Sequence, residues 1–412
     1  MGGLQDFLIL FTLLLEIAVL FYIEKKAWQT YYTPLNFLMF PYTIVLLITI
    51  IVAGGESGFV SFYYPSIIVW NVGLLIFAIP SFTIAFISYK INRSVNSELK
   101  TYSLSNIFKY LSILLCLIFF IRLVVMMKGS GLVLGTSEFG KVFCGRGLWG
   151  HLRVVTIPLL ILSIFLVDKK NKLLHIFIIV FLIVGMLYNI KGWVIIPVIS
   201  AMSMRLYYGK TKLNLQLITF VIAMGFLVFL SSYVLSILVV QSKEMSSGFM
   251  DFIYGHFFHY LTSGTLGWSM DLQLGIIDNY SGFHNIIAQI VNLGNLLTGE
   301  TEMITAINPL FFNSGISFTN VRTFFGTLYI NSSIITFVLY TLTLSAIMYV
   351  IKLSMDYSKN IYISIIYFFY CGLLFMGWFD FLFANLNVYE IPFIIIAIRL
   401  FERIATKRVD VA

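Results

Sequence analysis

The chain has 412 residues, of which 60% are hydrophobic and only 11% charged, with a formal net charge of +8. No water-soluble domain carries that balance, and continuously apolar runs exclude a membrane β-barrel, whose strands alternate. The positive excess sits in short loops between apolar runs, so it reports orientation in a membrane rather than nucleic-acid binding.

The fold class expected is all-α, a polytopic helical membrane protein of about eleven spans. In chain order these cover residues 7–23, 35–53, 67–88, 106–127, 152–167, 173–187, 193–207, 213–239, 329–351, 361–378 and 388–400. No positive segment precedes the first run, and Lys25 and Lys26 follow it, so it reads as a retained span with the N-terminus outside. One set of loops collects Lys90, Arg93 and Lys100, then Lys169, Lys170 and Lys172, then Arg205, Lys210 and Lys212, then Lys352 and Lys359. With the tail residues Arg399, Arg403, Lys407 and Arg408, that face is expected to be cytoplasmic, with the C-terminus inside.

The opposite face owns the longer loops, 54–66, 128–150 and 241–328, within what reads as a single integral membrane domain over 1–412. The last loop holds two expected amphipathic helices, 251–261 and 284–297. The second places Ile286, Ile290, Leu293 and Leu297 at helical spacing. Such helices lie on the membrane surface or cap a cavity. The runs 173–187 and 193–207 are short for a bilayer, so the turn 188–192 is expected below the outer surface, with Lys191 facing a cavity. Cys116 and Cys371 fall in spans and Cys144 alone in a loop, which suggests no disulfide.

Four cations fall at the outer half of the membrane: Arg122 inside the fourth span, Arg153 opening the fifth, Lys191 in the short hairpin and Arg322 ending the long loop. Arg146, Lys128 and Lys141 lie in the neighbouring loop. Snorkelling explains any one of them, but four on one side point to a bound anion. Glu16 is the one carboxylate expected deep in an apolar run, as a partner for a cation or part of a proton path. Glu390 is similar and Asp380 interfacial. His256 and His259 share a helix face at i, i+3 and suit a general base near neutral pH, with His151 and His284 as weaker candidates. No zinc-ligand spacing, phosphate loop or DxD pair appears. Glu300 and Glu302 are the nearest metal-like pair, and neither metal nor cofactor is expected.

Two stretches, 188–193 followed by an apolar run and 205–210, and 319–326 entering a span, resemble the O-antigen polymerase (Wzy-type) family of bacterial inner-membrane proteins. These are also called oligosaccharide repeat unit polymerases. The span number, the large late external loop and the smaller one before it are similar too. The chain departs from members whose external arginines are followed by glycine eleven residues later. The resemblance implies a metal-independent, inverting-type glycosyltransferase with a GT-C-like body. It would join oligosaccharide units carried on undecaprenyl diphosphate at the periplasmic face, the loop 241–328 capping the active site.

On that implied chemistry the departing diphosphate needs cations more than an acid, and Arg322, Arg122, Lys191 and Arg153 would hold it. His256 or His259 would take the acceptor's proton. Asn320, Thr323, Tyr260 and Arg146 would contact substrate, and Tyr254, Trp268 and Tyr280 would stack on sugars. Partners implied are the undecaprenyl-diphosphate-linked oligosaccharide, the lipid bilayer and, as an open alternative, a chain-length regulator. An O-antigen ligase shares this layout. A transporter or flippase is the rival of a different class, against which stand the missing internal repeat and the long external loop.

Overall fold

Long apolar runs satisfy their backbone polar groups internally only as helices, and helices are what the chain forms. The computed structural model describes residues 3–53, 55, 58–89, 105–219, 223, 225–227, 229–230, 249–276, 283–304 and 310–409. The helices are α1 (Leu4–Trp28), α2 (Pro34–Ala53), α3 (Ile67–Tyr89), α4 (Asn106–Gly129), α5 (Gly147–Leu166), α6 (Lys172–Leu187) and α7 (Gly192–Tyr207). They continue with α8 (Phe249–Gln273), α9 (Ala288–Thr298), α10 (Phe324–Ile330), α11 (Ile334–Ser358), α12 (Ile361–Phe375) and α13 (Asn387–Val409). One antiparallel hairpin joins β1 (Phe312–Asn313) to β2 (Phe318–Thr319), with Phe312 opposite Thr319.

Among the described residues, seven helices are long and apolar enough to cross a membrane: α1 to α5, α11, and α12 extended through Trp378. The helices α6 and α7 are apolar but short, as their sequence suggests. Much of the expected span 213–239 lies outside the described residues, as do Lys90, Arg93, Lys100 and Tyr280. The protein is thus a mostly helical membrane protein whose described part does not fix a count of eleven. Large apolar side chains such as Phe7, Phe11 and Leu15 stay exposed along α1, as a lipid-facing surface requires.

Two expected elements are redrawn. The run 329–351 is broken after Ile330, and α11 restarts with Ser333 Oγ accepting the Thr336 N–H at 3.2 Å. The helix expected at 251–261 runs on to Gln273. Its second half reads as a polar loop, Thr262-Ser263-Gly264-Thr265, yet it is buried, because each hydroxyl bonds a carbonyl of its own helix. Thr262 Oγ1 bonds the Phe258 carbonyl at 2.8 Å, and Thr265 Oγ1 the Thr262 carbonyl at 2.8 Å. Small side chains then let neighbouring backbone approach: a Cβ at Gly267 would stand 2.5 Å from the Val321 carbonyl.

The chain divides into two compact units. The first combines Met1–Val95, Tyr254–Asp356 and Leu373–Leu386. Within it α3 packs against α1, α2 and α10. Its core stacks Trp70 on Tyr42, ring centroids 3.4 Å apart, and the Trp70 indole donates to Thr323 Oγ1 at 3.1 Å. Glu24, in the last turns of α1, is fully buried and accepts from Tyr349 Oη at 2.9 Å and from Ser81. The deepest carboxylate of the first helix is therefore Glu24. Glu16 is only half-buried and forms no ion pair among the described residues.

The second unit combines Asn96–Ile253, Tyr357–Gly372 and Asn387–Ala412. Its centre is α5, which packs against α4, α6, α7 and α13. One end is tied by Arg205, whose Nη1 donates to the carbonyls of Ile164, Phe165 and Val167 at 2.8, 3.0 and 3.1 Å and so closes the C-terminus of α5. Residues 137–145, a helical turn followed by a widened turn, lie at the other end, where Gly140 and Gly145 approach Leu187 and Tyr188 closely. Candidate chemistry gathers there.

Candidate functional site

Arg322 is among the largest fully buried side chains, 1% exposed, and it meets an anion from its own unit. Nε and Nη2 donate to the two carboxylate oxygens of Asp271 on α8, the latter at 3.0 Å. Nη1 donates to the Val321 carbonyl at 3.1 Å and Nη2 to that of Leu310 at 3.4 Å. Thr327 ties the same corner, bonding the Arg322 carbonyl at 2.8 Å and Asp380 Oδ1 at 2.6 Å. A bidentate buried pair with its remaining donors satisfied is a structural clamp complete in itself. Arg322, expected from the sequence to meet an external anion, has Asp271 as its partner instead. Thr323 likewise caps α10, accepting the Gly326 N–H at 3.1 Å, and Trp268 donates its indole N–H to the Ser66 carbonyl at 2.9 Å.

His259, also buried, shares a hydrogen bond between Nδ1 and Ser314 Oγ at 2.7 Å and is bonded to the backbone of Phe318. The imidazole thereby fastens the β1–β2 hairpin to α8. Burial, with neighbouring His256 second, pushes its pKa below the ordinary 6.5. The rings of His256 and His259 lie 6.4 Å apart, and no cluster of three or more metal-ligating side chains forms among the described residues. Asp271 lies about 18 Å further along the α8 axis from His259, so the histidine pair and Arg322 do not face one reacting bond. Tyr260 packs its ring on Phe379, centroids 4.8 Å apart, and Asn320 is half-buried beside the clamp.

The other three cations come together at one end of α5 in the second unit. Arg153 is 5% exposed and stacks its guanidinium over Tyr188, 4.0 Å from the ring centroid, with Trp193 at 5.9 Å. Its Nε has no hydrogen-bond partner, and no carboxylate pairs with it among the described residues. One turn earlier on the same face of α5, Trp149 receives the guanidinium of Arg122 at 4.4 Å, and Arg122 Nη2 donates to the Val142 carbonyl at 3.1 Å. Arg122 Nε is buried and unbonded as well. Lys191, three residues past Tyr188, lies over Phe229 at 4.1 Å, and burial pushes its pKa down to about 8. Arg146 is exposed at the start of α5. Beside this group, His151 Nδ1 and Glu390 Oε1 are 2.7 Å apart, and Glu390 Oε2 is buried without a partner among the described residues.

A family model described as a family of unknown function, DUF6337, matches residues 58–408. The chain belongs to the DUF6337 family. No curated protein and no solved structure matches it. Both polar centres of this DUF6337 member, the Arg322–Asp271 clamp and the cluster around Arg153, fall inside the matched residues. They differ in chemistry. The clamp is neutral as a pair, whereas the Arg153 cluster sets three cations against aromatic faces and, among the described residues, leaves Nε of Arg153 and of Arg122 buried without a hydrogen-bond partner. A buried, unpaired guanidinium in a membrane helix is costly, and such groups mark ligand sites or pathways.

Proposed function

We propose that this DUF6337 protein is a membrane-embedded glycosyltransferase that polymerises undecaprenyl-diphosphate-linked oligosaccharide units into a surface polysaccharide. On this reading it works at the periplasmic face of a bacterial inner membrane, within a GT-C-like body. One observation carries the reading. Arg153 is buried and unpaired among the described residues, backed by Tyr188, with Arg122 and Lys191 at the same end of one helical unit. Two forked guanidinium groups and an ammonium match the oxygens of a diphosphate, whose charge grows as the glycosidic bond breaks. Trp149, Tyr188 and Trp193 supply flat apolar faces of the kind that pack on sugar rings and on the first units of a polyprenyl chain. Arg322 holds the body of the first unit together on this account, and the diphosphate belongs to Arg153.

The test is the polysaccharide banding pattern of a deletion strain complemented with variants. Wild type restores a ladder of chain lengths, and Arg153→Ala leaves single units while the protein still inserts. Single units attached to the acceptor mark a polymerase, and loss of all attached glycan marks the ligase reading. A full ladder from Arg153→Ala combined with Arg122→Ala removes the assignment.

A further inference from the structure

We propose that His151 is the base that accepts the proton of the attacking sugar hydroxyl, with Glu390 as the residue that positions it. The inference rests on the glycosyltransferase reading above and names the residues that complete its site. His151 stands at the exposed outer turn of α5, its side chain 59% open, two residues before Arg153. Glu390 lies in the first turn of α13, where a carboxylate is favoured by the helix N-terminus. The 2.7 Å contact joins Glu390 Oε1 to Nδ1 of His151. A carboxylate there fixes the proton on Nδ1 and leaves the lone pair of Nε2 on the side away from Glu390.

The placement matches the demands of the reaction. His151 and Arg153 are separated by about 3 Å along the axis of α5 but by roughly half a turn around it. The imidazole therefore faces α13 while the guanidinium faces the α6–α7 turn. An inverting displacement needs this division, because the nucleophile enters opposite the leaving group. Glu390 is also close enough to Arg153 for its charge to act there, so one carboxylate links the two sides. His259 offers no comparable nitrogen, since its imidazole is buried and bonded to the hairpin.

In the step itself, the acceptor hydroxyl oxygen bonds to the anomeric carbon of the donor. The bond from that carbon to the diphosphate oxygen breaks, and its electron pair stays on the lipid diphosphate, held by Arg153 and its neighbours. The hydroxyl proton passes to Nε2 of His151 and from there to water. No oxidant, metal or further reactant enters.

The experiment uses the full-length protein in lipid nanodiscs, with lipid-linked units extracted from the deletion strain as substrate and undecaprenyl diphosphate as the binding probe. His151→Ala is expected to lower turnover by about 10²–10⁴-fold while undecaprenyl diphosphate binds as to wild type. Glu390→Gln is expected to lower turnover less, the loss falling on kcat with KM for the lipid-linked unit unchanged, because the imidazole loses the group that orients it. Glu390→Asp recovers part of the lost kcat. If His151→Ala fails to bind the probe, His151→Gln, which keeps bulk and polarity, takes its place. Undiminished turnover in the His151 variant, or a loss in Glu390→Gln that falls on KM and leaves kcat unchanged, overturns the inference alone. A wild-type protein that neither binds the probe nor transfers glycan overturns the glycosyltransferase reading with it.

Discussion

Arg322 and Asp271, fifty-one residues apart in the chain, close on each other through two hydrogen bonds in the interior of the first unit. Each is nearly inaccessible, so removing either partner strands a buried charge, at about 3–5 kcal/mol. Arg322→Ala and Asp271→Ala are therefore expected to lower the thermal midpoint in detergent by similar amounts. The double change Arg322→Met with Asp271→Leu, which leaves no charge behind, is expected to recover most of the loss. A double-mutant cycle on thermal unfolding checks this. Independent, additive effects of the two alanine variants would show that the pair is not the unit of stability.

Arg153 presents the opposite energetic case. Its guanidinium is buried and forms no ion pair among the described residues, the Glu390 charge acting on it only from beyond ion-pair distance, so the empty protein bears most of its desolvation. Arg153→Leu is expected to leave thermal stability unchanged or higher. The same change is expected to weaken undecaprenyl diphosphate binding by about 10–100-fold, the worth of a charge-assisted contact. Arg153→Lys keeps the charge and loses the planar stack on Tyr188, which places it between the two. Calorimetric unfolding and a binding isotherm on the same preparations decide it. A loss of stability equal to that of Asp271→Ala would make Arg153 a structural group instead.

Lys191 adds a pH signature. Burial holds its ammonium at about 8 instead of the ordinary 10.5. Its charge is lost as pH rises through about 8, and re-protonating it for an anion then costs about tenfold in affinity per pH unit. Affinity for undecaprenyl diphosphate is expected to fall roughly tenfold from about pH 7 to about pH 9. The stability of the empty protein moves the other way. The unfolded chain binds the proton more tightly between pH 8 and 10.5, so stability rises with pH across that window. Lys191→Arg remains charged throughout and is expected to flatten the binding profile. An unchanged slope in that variant would exclude Lys191 from the anion site.

The spans were legible in the sequence because hydropathy needs only a local window, and the ends of α2, α3, α4 and α6 fall within about two residues of the expected runs. The extra turns of α8 were not. A Thr-Ser-Gly-Thr stretch carries the composition of a loop, and only the packing of its Gly264 against the Trp378 and Phe379 carbonyls shows why a small residue is needed there. That error hid Asp271, and with it the partner of Arg322. The four outer cations were visible as residues out of place in lipid, but their grouping was not. Hydropathy does not tell which non-consecutive helices share a unit, and the structure assigns Arg122, Arg153 and Lys191 to one unit and Arg322 to the other. The pairing of His151 with Glu390 depends on α5 meeting α13, a contact between segments far apart in the chain.

His259 separates a structural histidine from a catalytic one. Its imidazole bonds Ser314 and the Phe318 backbone, and burial keeps its folded pKa below the ordinary 6.5, with His256 adding to the effect and the Phe318 contact opposing it. A depressed folded pKa means that the stability it contributes is complete above about 6.5 and is lost as pH falls through the folded value. Hydrogen exchange in the 312–319 hairpin, taken relative to the intrinsic rate at each pH, is therefore expected to accelerate on acidification from about pH 7 to about pH 5.5, ahead of exchange in α5. His259→Gln, which keeps a hydrogen-bonding side chain without the titration, is expected to remove most of that acceleration. It is also expected to retain most of the neutral-pH turnover, where His151→Ala loses it. If His259→Gln abolishes turnover while the hairpin amides stay protected, the proton acceptor is His259, and the fastening of the hairpin is secondary to chemistry at α8.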